Sequence, residues 1–159
     1  MEAIVAVYSD WGIGAGGTQP VVLKADRRHF RELTGDAAVI VGRKTLADFP
    51  GGRPLRGRHN IVISRQALEI EGAELVHSYE EALAAGQRFE RCLVLGGASV
   101  FKGMLPYIDT VHVTKIELCP LSDSFFPNLD RAEDFHLVSE SDVFEEAGIK
   151  FRFVEYRRK

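Results

Sequence analysis

The sequence predicts an α/β fold: one domain over residues 1–159, built on a largely parallel, twisted sheet of about eight strands, with helices on both faces and an antiparallel hairpin at its C-terminal edge. Three observations lead there. Apolar, β-branched runs alternate with segments of helical periodicity, which implies right-handed crossovers and parallel pairing. Two of those runs end in glycine and pass directly into helix-starting character: Ala38-Val39-Ile40-Val41 into Gly42-Arg43-Lys44-Thr45, and Cys92-Leu93-Val94-Leu95 into Gly96-Gly97-Ala98-Ser99-Val100-Phe101. The last two strand-like runs follow each other with no helix between them, the pattern of an edge hairpin.

In chain order, Ala3-Ile4-Val5-Ala6-Val7-Tyr8 is continuously apolar, as a central strand covered on both faces requires. Ser9 to Thr18 contains four glycines within residues 12–17. Such a segment is expected to lack regular structure and to form a mobile flap. From Lys24 to Leu33, the residues Ala25, His29, Phe30 and Leu33 recur at helical spacing, with Arg27, Arg28, Arg31 and Glu32 mostly on the other face. Asp26 stands beside that apolar stripe, in the first turn, where the helix dipole alone accounts for a carboxylate. A strand at Ala37–Val41, a short helix from Arg43 to about Ala47 and a turn at Pro50-Gly51-Gly52-Arg53-Pro54 follow. Asn60–Arg65 and Ala73–Val76 read as strands. Ser78 caps a helix over Tyr79–Ala85, with Glu81 at the capping-box position. Beyond the second glycine junction, Val100, Phe101, Met104 and Leu105 are spaced for a helix that Pro106 stops. Thr110–Ile116 is a strand. Phe135–Ser141 and Ile149–Tyr156 are the last two, linked through Glu145-Glu146-Ala147-Gly148.

Composition narrows the function. A net charge of -3 argues against a general nucleic-acid binder, and the basic end Arg157-Arg158-Lys159 reads as a solvated tail. No apolar run reaches the length of a membrane span, and nothing at the N-terminus looks like a signal peptide. Two cysteines, Cys92 and Cys119, indicate no disulfide framework, so a reducing, cytoplasmic location is expected. No metal site and no self-association feature is evident, and a monomer is expected.

In open sheets of this class ligands bind beyond the carboxyl ends of the strands. Glycine at a strand-to-helix junction lets a phosphate approach the backbone, and the helix start behind it offers unpaired N–H groups. Two such junctions suggest a dinucleotide. Arg43, Lys44, Arg65 and His77 follow three different strands at that edge, which suits the extra phosphate of NADP better than the ribose diol of NAD. Taken singly, each reads as a solvated surface charge; their shared placement makes the argument.

At this point the chain resembles dihydrofolate reductase, along essentially its whole length. The landmarks are Ile4-Val5-Ala6, Trp11-Gly12-Ile13-Gly14, Asp26 with Phe30 one turn on, Val41 to Thr45, Arg53-Pro54-Leu55 with Gly57-Arg58 and Asn60, Leu95 to Ala98, Thr114, and Asp123 with Phe126-Pro127. The resemblance implies NADPH-dependent reduction of dihydrofolate, mono- or polyglutamylated, to tetrahydrofolate. Asp26 would be the one ionisable residue touching the pterin, assisted by Thr114, with a water delivering the proton to the ring nitrogen. Substrate would be held by Ile4, Ala6, Asp26, Phe30, Arg31, Phe49, Arg53, Leu55, Arg58 and Thr114, Arg58 gripping the glutamate carboxylate as a fork-on-fork pair. NADPH would be held by Ala6, Ile13, Gly14, Gly42, Arg43, Lys44, Thr45, Ser64, Arg65, His77, Leu95, Gly96, Gly97, Ala98, Ser99, Val100 and Phe101. The Gly96-Gly97 peptide would be cis.

The chain departs from the family pattern in places. Where the family has Pro-Trp at the end of the flap, Gln19-Pro20 is followed by Val21-Val22, so either another donor such as Gln19 or Thr18 holds the water that the indole would hold, or the chemical step is slower. Trp11 lies too early to substitute. Arg27 stands where an apolar residue is usual, and either meets the substrate or points to water. Phe101, where tyrosine is common, lacks only a hydroxyl. Two rival readings share the NADPH junctions: a sister reductase acting on a pyrimidine, and a non-catalytic NADPH or pterin sensor. Asp26, Arg58 and Thr114 together favour folate.

Overall fold

The computed structural model describes residues 1–16, 19–67 and 69–159; Thr18, one of the two expected water-holding donors, lies outside them. A central strand β1 (Glu2–Val7) is flanked by β6 (Cys92–Gly96) and β7 (Thr110–Ile116). Beyond β6 lie β3 (Ala38–Gly42), β4 (His59–Ile63) and β5 (Ala73–Val76), and every pairing from β7 to β5 is parallel. The other edge is antiparallel: β11 (Ile149–Arg158) pairs with β7 and carries both β9 (Phe135–Glu140) and β10 (Phe144–Glu146) on its far side.

Strand periodicity decides which residues face which helices. Ile4, Ala6 and Tyr8 face α1 (Lys24–Thr34), and Leu46 of α2 (Arg43–Ala47) packs with Val41 and Val62 on the same side. Ala3, Val5 and Val7 face the larger core, which receives Ala82 and Ala85 of α3 (Tyr79–Gly86) and Val100, Phe101 and Met104 of α4 (Ala98–Met104). Among the described residues, no helix is long and apolar enough to cross a membrane.

The structure corrects two expectations. The glycine-rich flap is not wholly irregular: β2 (Gly12–Gly14) pairs with β8 (Ser124–Phe125) as a separate two-stranded sheet. Its root is fixed by packing, because a Cβ on Gly12 would stand 2.3 Å from Ser122 Oγ and the neighbouring Trp11 ring is buried against Phe126 and Tyr156. The edge hairpin is also different. Glu145 and Glu146 belong to β10, the turn is only Ala147-Gly148, and β10 rather than β9 forms the hairpin with β11. Both turn residues have positive φ, 52° and 79°, the geometry of a tight hairpin turn.

One irregularity positions the site. Ile40 faces Val94 but Val41 faces Gly96, so Leu95 is an extra residue in β6. β1 and β6 pair only at Glu2 with Leu93 and Ala3 with Val94. Beyond that point Ile4–Val7 keep β7 alone as partner, and Gly96 keeps β3 alone. The sheet therefore opens between β1 and β6.

Candidate active site

Asp26 projects from the first turn of α1 onto β7, where the Thr114 hydroxyl donates to its Oδ1 at 2.6 Å. Thr114 is 2% exposed and pairs in register with Ala6, so acid, hydroxyl and the middle of β1 come together at the mouth of the opening. Ile4, Phe30, Leu33 and Leu95 pack as one apolar group on one side, and Ala6, Val21, Leu23 and Ala25 as another. Burial is the largest influence on Asp26 and pushes its pKa above the ordinary carboxylate value; the Thr114 hydrogen bond and His29 pull it down, and Glu146 pushes it further up. His29, one turn along, is itself held below its ordinary value, chiefly by burial.

Toward the C-terminal end of α1 the loop before β4 is tied to the helix. Arg58 Nε and Nη2 donate to Thr34 Oγ1 at 3.3 and 3.1 Å, Nη2 also reaches the Arg31 carbonyl at 3.4 Å, and Nη1 reaches that of Arg56 at 2.7 Å. All three acceptors are neutral, so these four bonds orient the guanidinium without cancelling its charge. Asn60, 1% exposed, fixes the same loop by bonding both the N–H and the carbonyl of Leu55. Phe49 packs against Val41, Leu46 and Val62, as does Leu95, which also joins the Phe30 group. Arg27, Arg31 and Arg53 are exposed.

The two glycine junctions meet. A Cβ on Gly42 would lie 3.0 Å from Val100 Cγ2 and 3.7 Å from the Gly96 carbonyl, and one on Gly97 would lie 3.1 Å from Thr45 Oγ1. Gly96 has φ +120°, with the Phe101 ring filling the space a side chain would take. The Gly96-Gly97 peptide is cis. α2 and α4 span only 5 and 7 residues, so their contribution to an anion rests on the free N–H groups of the first turn and less on a macrodipole. Formal charge comes from Arg43 and Lys44 after β3 and Arg65 after β4, all exposed. Arg43 is steadied by Gln66. Ser64 bonds the Val76 carbonyl through its N–H at 3.0 Å, and His77 Nδ1 lies 2.8 Å from the Ser64 carbonyl. At about 4.8 Å per strand, this surface runs roughly 20 Å from β1 to β5. The bare glycine backbone and the basic rim fit a phosphate-rich dinucleotide.

Three neighbours of this site escaped the reading of the sequence. Tyr8 turns its hydroxyl to the Val21 N–H at 3.3 Å, holding the end of the flap; His29 was assigned only to the apolar stripe; Glu146 was assigned to a loop. Only His29, three residues from Asp26 on a helix, carried a signal that could have found it. Gln19 donates through Nε2 to the Ala6 carbonyl at 3.2 Å, at the cleft. Trp11 belongs to the core on the other face of the sheet.

Known proteins are similar to this chain along its length. The family model for dihydrofolate reductase matches residues 1–158. The dihydrofolate reductase of Neisseria gonorrhoeae is 36% identical over 157 residues, covering 98% of this chain and 96% of its own. That of Bacillus subtilis is 32% identical over 158 residues, covering 98% and 93%. A solved structure of the Enterococcus faecalis dihydrofolate reductase, complexed with NADP(H) and RAB-propyl, superposes with a TM-score of 0.89 at 30% identity, covering 99% of this chain and 95% of that one.

Proposed function

We propose that this chain, which belongs to the dihydrofolate reductase family, reduces 7,8-dihydrofolate to 5,6,7,8-tetrahydrofolate. It is an oxidoreductase of that family, with NADPH as its cofactor and a pterin as its substrate class. The observation that carries the finer reading is one partly buried carboxylate, Asp26, hydrogen-bonded to the Thr114 hydroxyl between two apolar groups, Ile4-Phe30-Leu33-Leu95 and Ala6-Val21-Leu23-Ala25.

NADPH, when bound, supplies the hydride. Gly42, Gly96 and Gly97 let the two junctions close on one another at the edge where its phosphates would lie, and Arg43, Lys44, Arg65 and His77 meet their charge, with Ser64 setting the loop between them. Thr114 occupies one lone pair of Asp26 Oδ1 and fixes the plane of the carboxylate. The remaining lone pairs of Oδ1 and Oδ2 accept the paired N–H donors of the pterin's amino-pyrimidine edge. Held in this way, Asp26 stabilises positive charge on the ring as its distant nitrogen takes up a proton from water. Gln19 is the polar group that the flap places at the cleft to hold that water. Ile4, Phe30, Phe49 and Leu55 cover the apolar faces, and Arg58 receives the glutamate carboxylate of mono- or polyglutamylated substrate.

The test is the loss of NADPH absorbance with dihydrofolate, repeated with Asp26→Asn. Turnover that falls roughly 10²-fold or more in the variant is expected. Turnover confined to a pyrimidine substrate, or NADPH binding without turnover, overturns the proposal.

A further inference from the structure

α1 begins without a cap of its own. The residue before its first turn is Leu23, 3% exposed and without a side-chain acceptor, so the first N–H groups of the helix find no partner in their own segment. The partner comes from 122 residues away: Glu146 Oε2 accepts the Lys24 N–H at 2.7 Å, and Oε1 accepts the Ala25 N–H at 3.0 Å. The next residue is Asp26. The same hairpin grips the helix again one turn later, where His29 stacks on Phe153 with ring centroids 4.0 Å apart and planes at 23°. Phe153 is braced by Phe144 and Phe151, at 5.8 and 5.7 Å.

We propose that Glu146 is a positioning residue for the reaction: by capping α1 from the β10–β11 hairpin, it sets the height and tilt of the turn that presents Asp26 to the substrate. The proposal rests on the role given to Asp26 above. A two-oxygen cap fixes both the axial position of the helix and its rotation, whereas an uncapped first turn frays, and Asp26 lies within that turn. Thr114 then holds the carboxylate against β7, so the acid is held between β10, through the helix cap, and β7, two strands separated by β11 alone.

Charge acts in the same place. The groups facing Asp26 are His29 on α1, Tyr8 just after β1, Thr114 on β7 and Glu146 on β10, with Lys24 and Arg28 flanking Glu146. Glu146 opposes ionisation of Asp26, and by the same sign favours a proton gained anywhere in the acid-pterin unit.

Single-turnover hydride transfer to dihydrofolate, followed across pH, tests this in Glu146→Gln, Glu146→Ala and Glu146→Asp. Glu146→Ala should slow transfer roughly tenfold by loosening the first turn, while the Kd for NADPH, read by fluorescence, stays at the parent's value. Glu146→Gln keeps an acceptor oxygen but not the charge, so it should slow transfer less and move the pH midpoint downward. Glu146→Asp, restoring the charge, should return the midpoint toward the parent's. Parental rates and midpoints in both Glu146→Gln and Glu146→Ala, whatever happens to Tm, overturn the proposal and leave a cap that serves stability alone. Should Glu146→Ala not fold, the midpoint of Glu146→Gln decides. Asp26→Asn run alongside separates the failures: a parental rate there removes the role of Asp26 and the proposal with it, whereas a collapsed rate there with parental Glu146 variants removes only the proposal.

Discussion

Replacing Asp26 by asparagine should stabilise the protein at neutral pH while removing the reaction. Burial dominates the environment of this carboxyl and raises its pKa; the hydrogen bond from Thr114 and the proximity of His29 oppose the rise without cancelling it, and Glu146 adds to it. The ionised side chain is thus worse off in the folded chain than in the unfolded one. A folded pKa above the unfolded value means that the native state binds more protons between the two, so unfolding free energy falls as pH rises through that interval and stays lower above it. Asparagine has the same shape, can still accept the Thr114 hydroxyl now 2.6 Å from Oδ1, and carries no charge. Its gain at pH 7 should be about 1 kcal/mol, which for a chain of 159 residues raises Tm by roughly 2–4 °C. Thermal unfolding of the ligand-free protein, followed by circular dichroism from pH 3 to 8, measures it. The gain should shrink as pH falls toward the ordinary value of 3.8 and disappear below it. An asparagine variant less stable than the parent at pH 7, or a gain that grows in acid, refutes the argument.

Three further outcomes are expected. Gly42→Ala places a methyl 3.0 Å from Val100 Cγ2 where the two junctions meet, so the NADPH Kd in a fluorescence titration should rise roughly tenfold with the dihydrofolate KM little changed; an unchanged Kd would show that the junction yields freely. Glu2, held down to about 2 first by its hydrogen bond from His112 and then by Arg91, contributes stability that is present above its ordinary 4.5 and lost as pH falls toward 2. Glu2→Gln should therefore cost about 1–2 kcal/mol in urea unfolding at pH 7, a difference that closes in acid; a constant difference would assign the cost to packing. Val21→Trp, which puts an indole N–H at the end of the flap beside Ala6 and Tyr8, should alter the pH dependence of hydride transfer, and an identical profile would show that the native flap already holds the water.

The eight long strands were legible because each is an apolar, β-branched run bounded by a turn or helix signal, and the glycine junctions announced the cleft because their residues are local. β10 was not legible: Phe144-Glu145-Glu146 is three residues long and mostly exposed, with no periodicity to read. β2 hides among glycines and owes its existence to pairing with β8, more than a hundred residues away. The same distance hid the cap on α1, since Leu23 gave no sign that Glu146 would replace it. Asp26 alone read as a dipole partner; only the resemblance picked it out, and only the fold put Thr114 against it. The anchoring of Arg58 on Thr34 and the extra residue at Leu95 were invisible for a related reason, because both depend on where neighbouring elements end.

The account turns on whether Asp26 stabilises the proton gained by the bound pterin. Single-turnover hydride transfer from NADPH to dihydrofolate, measured against pH for the parent and for Asp26→Asn, reads this directly. In the parent the rate should fall as pH rises through a midpoint above the ordinary carboxylate value, and in the variant the midpoint should move to lower pH with a collapsed rate at pH 7. Superimposable profiles for the two proteins would contradict it.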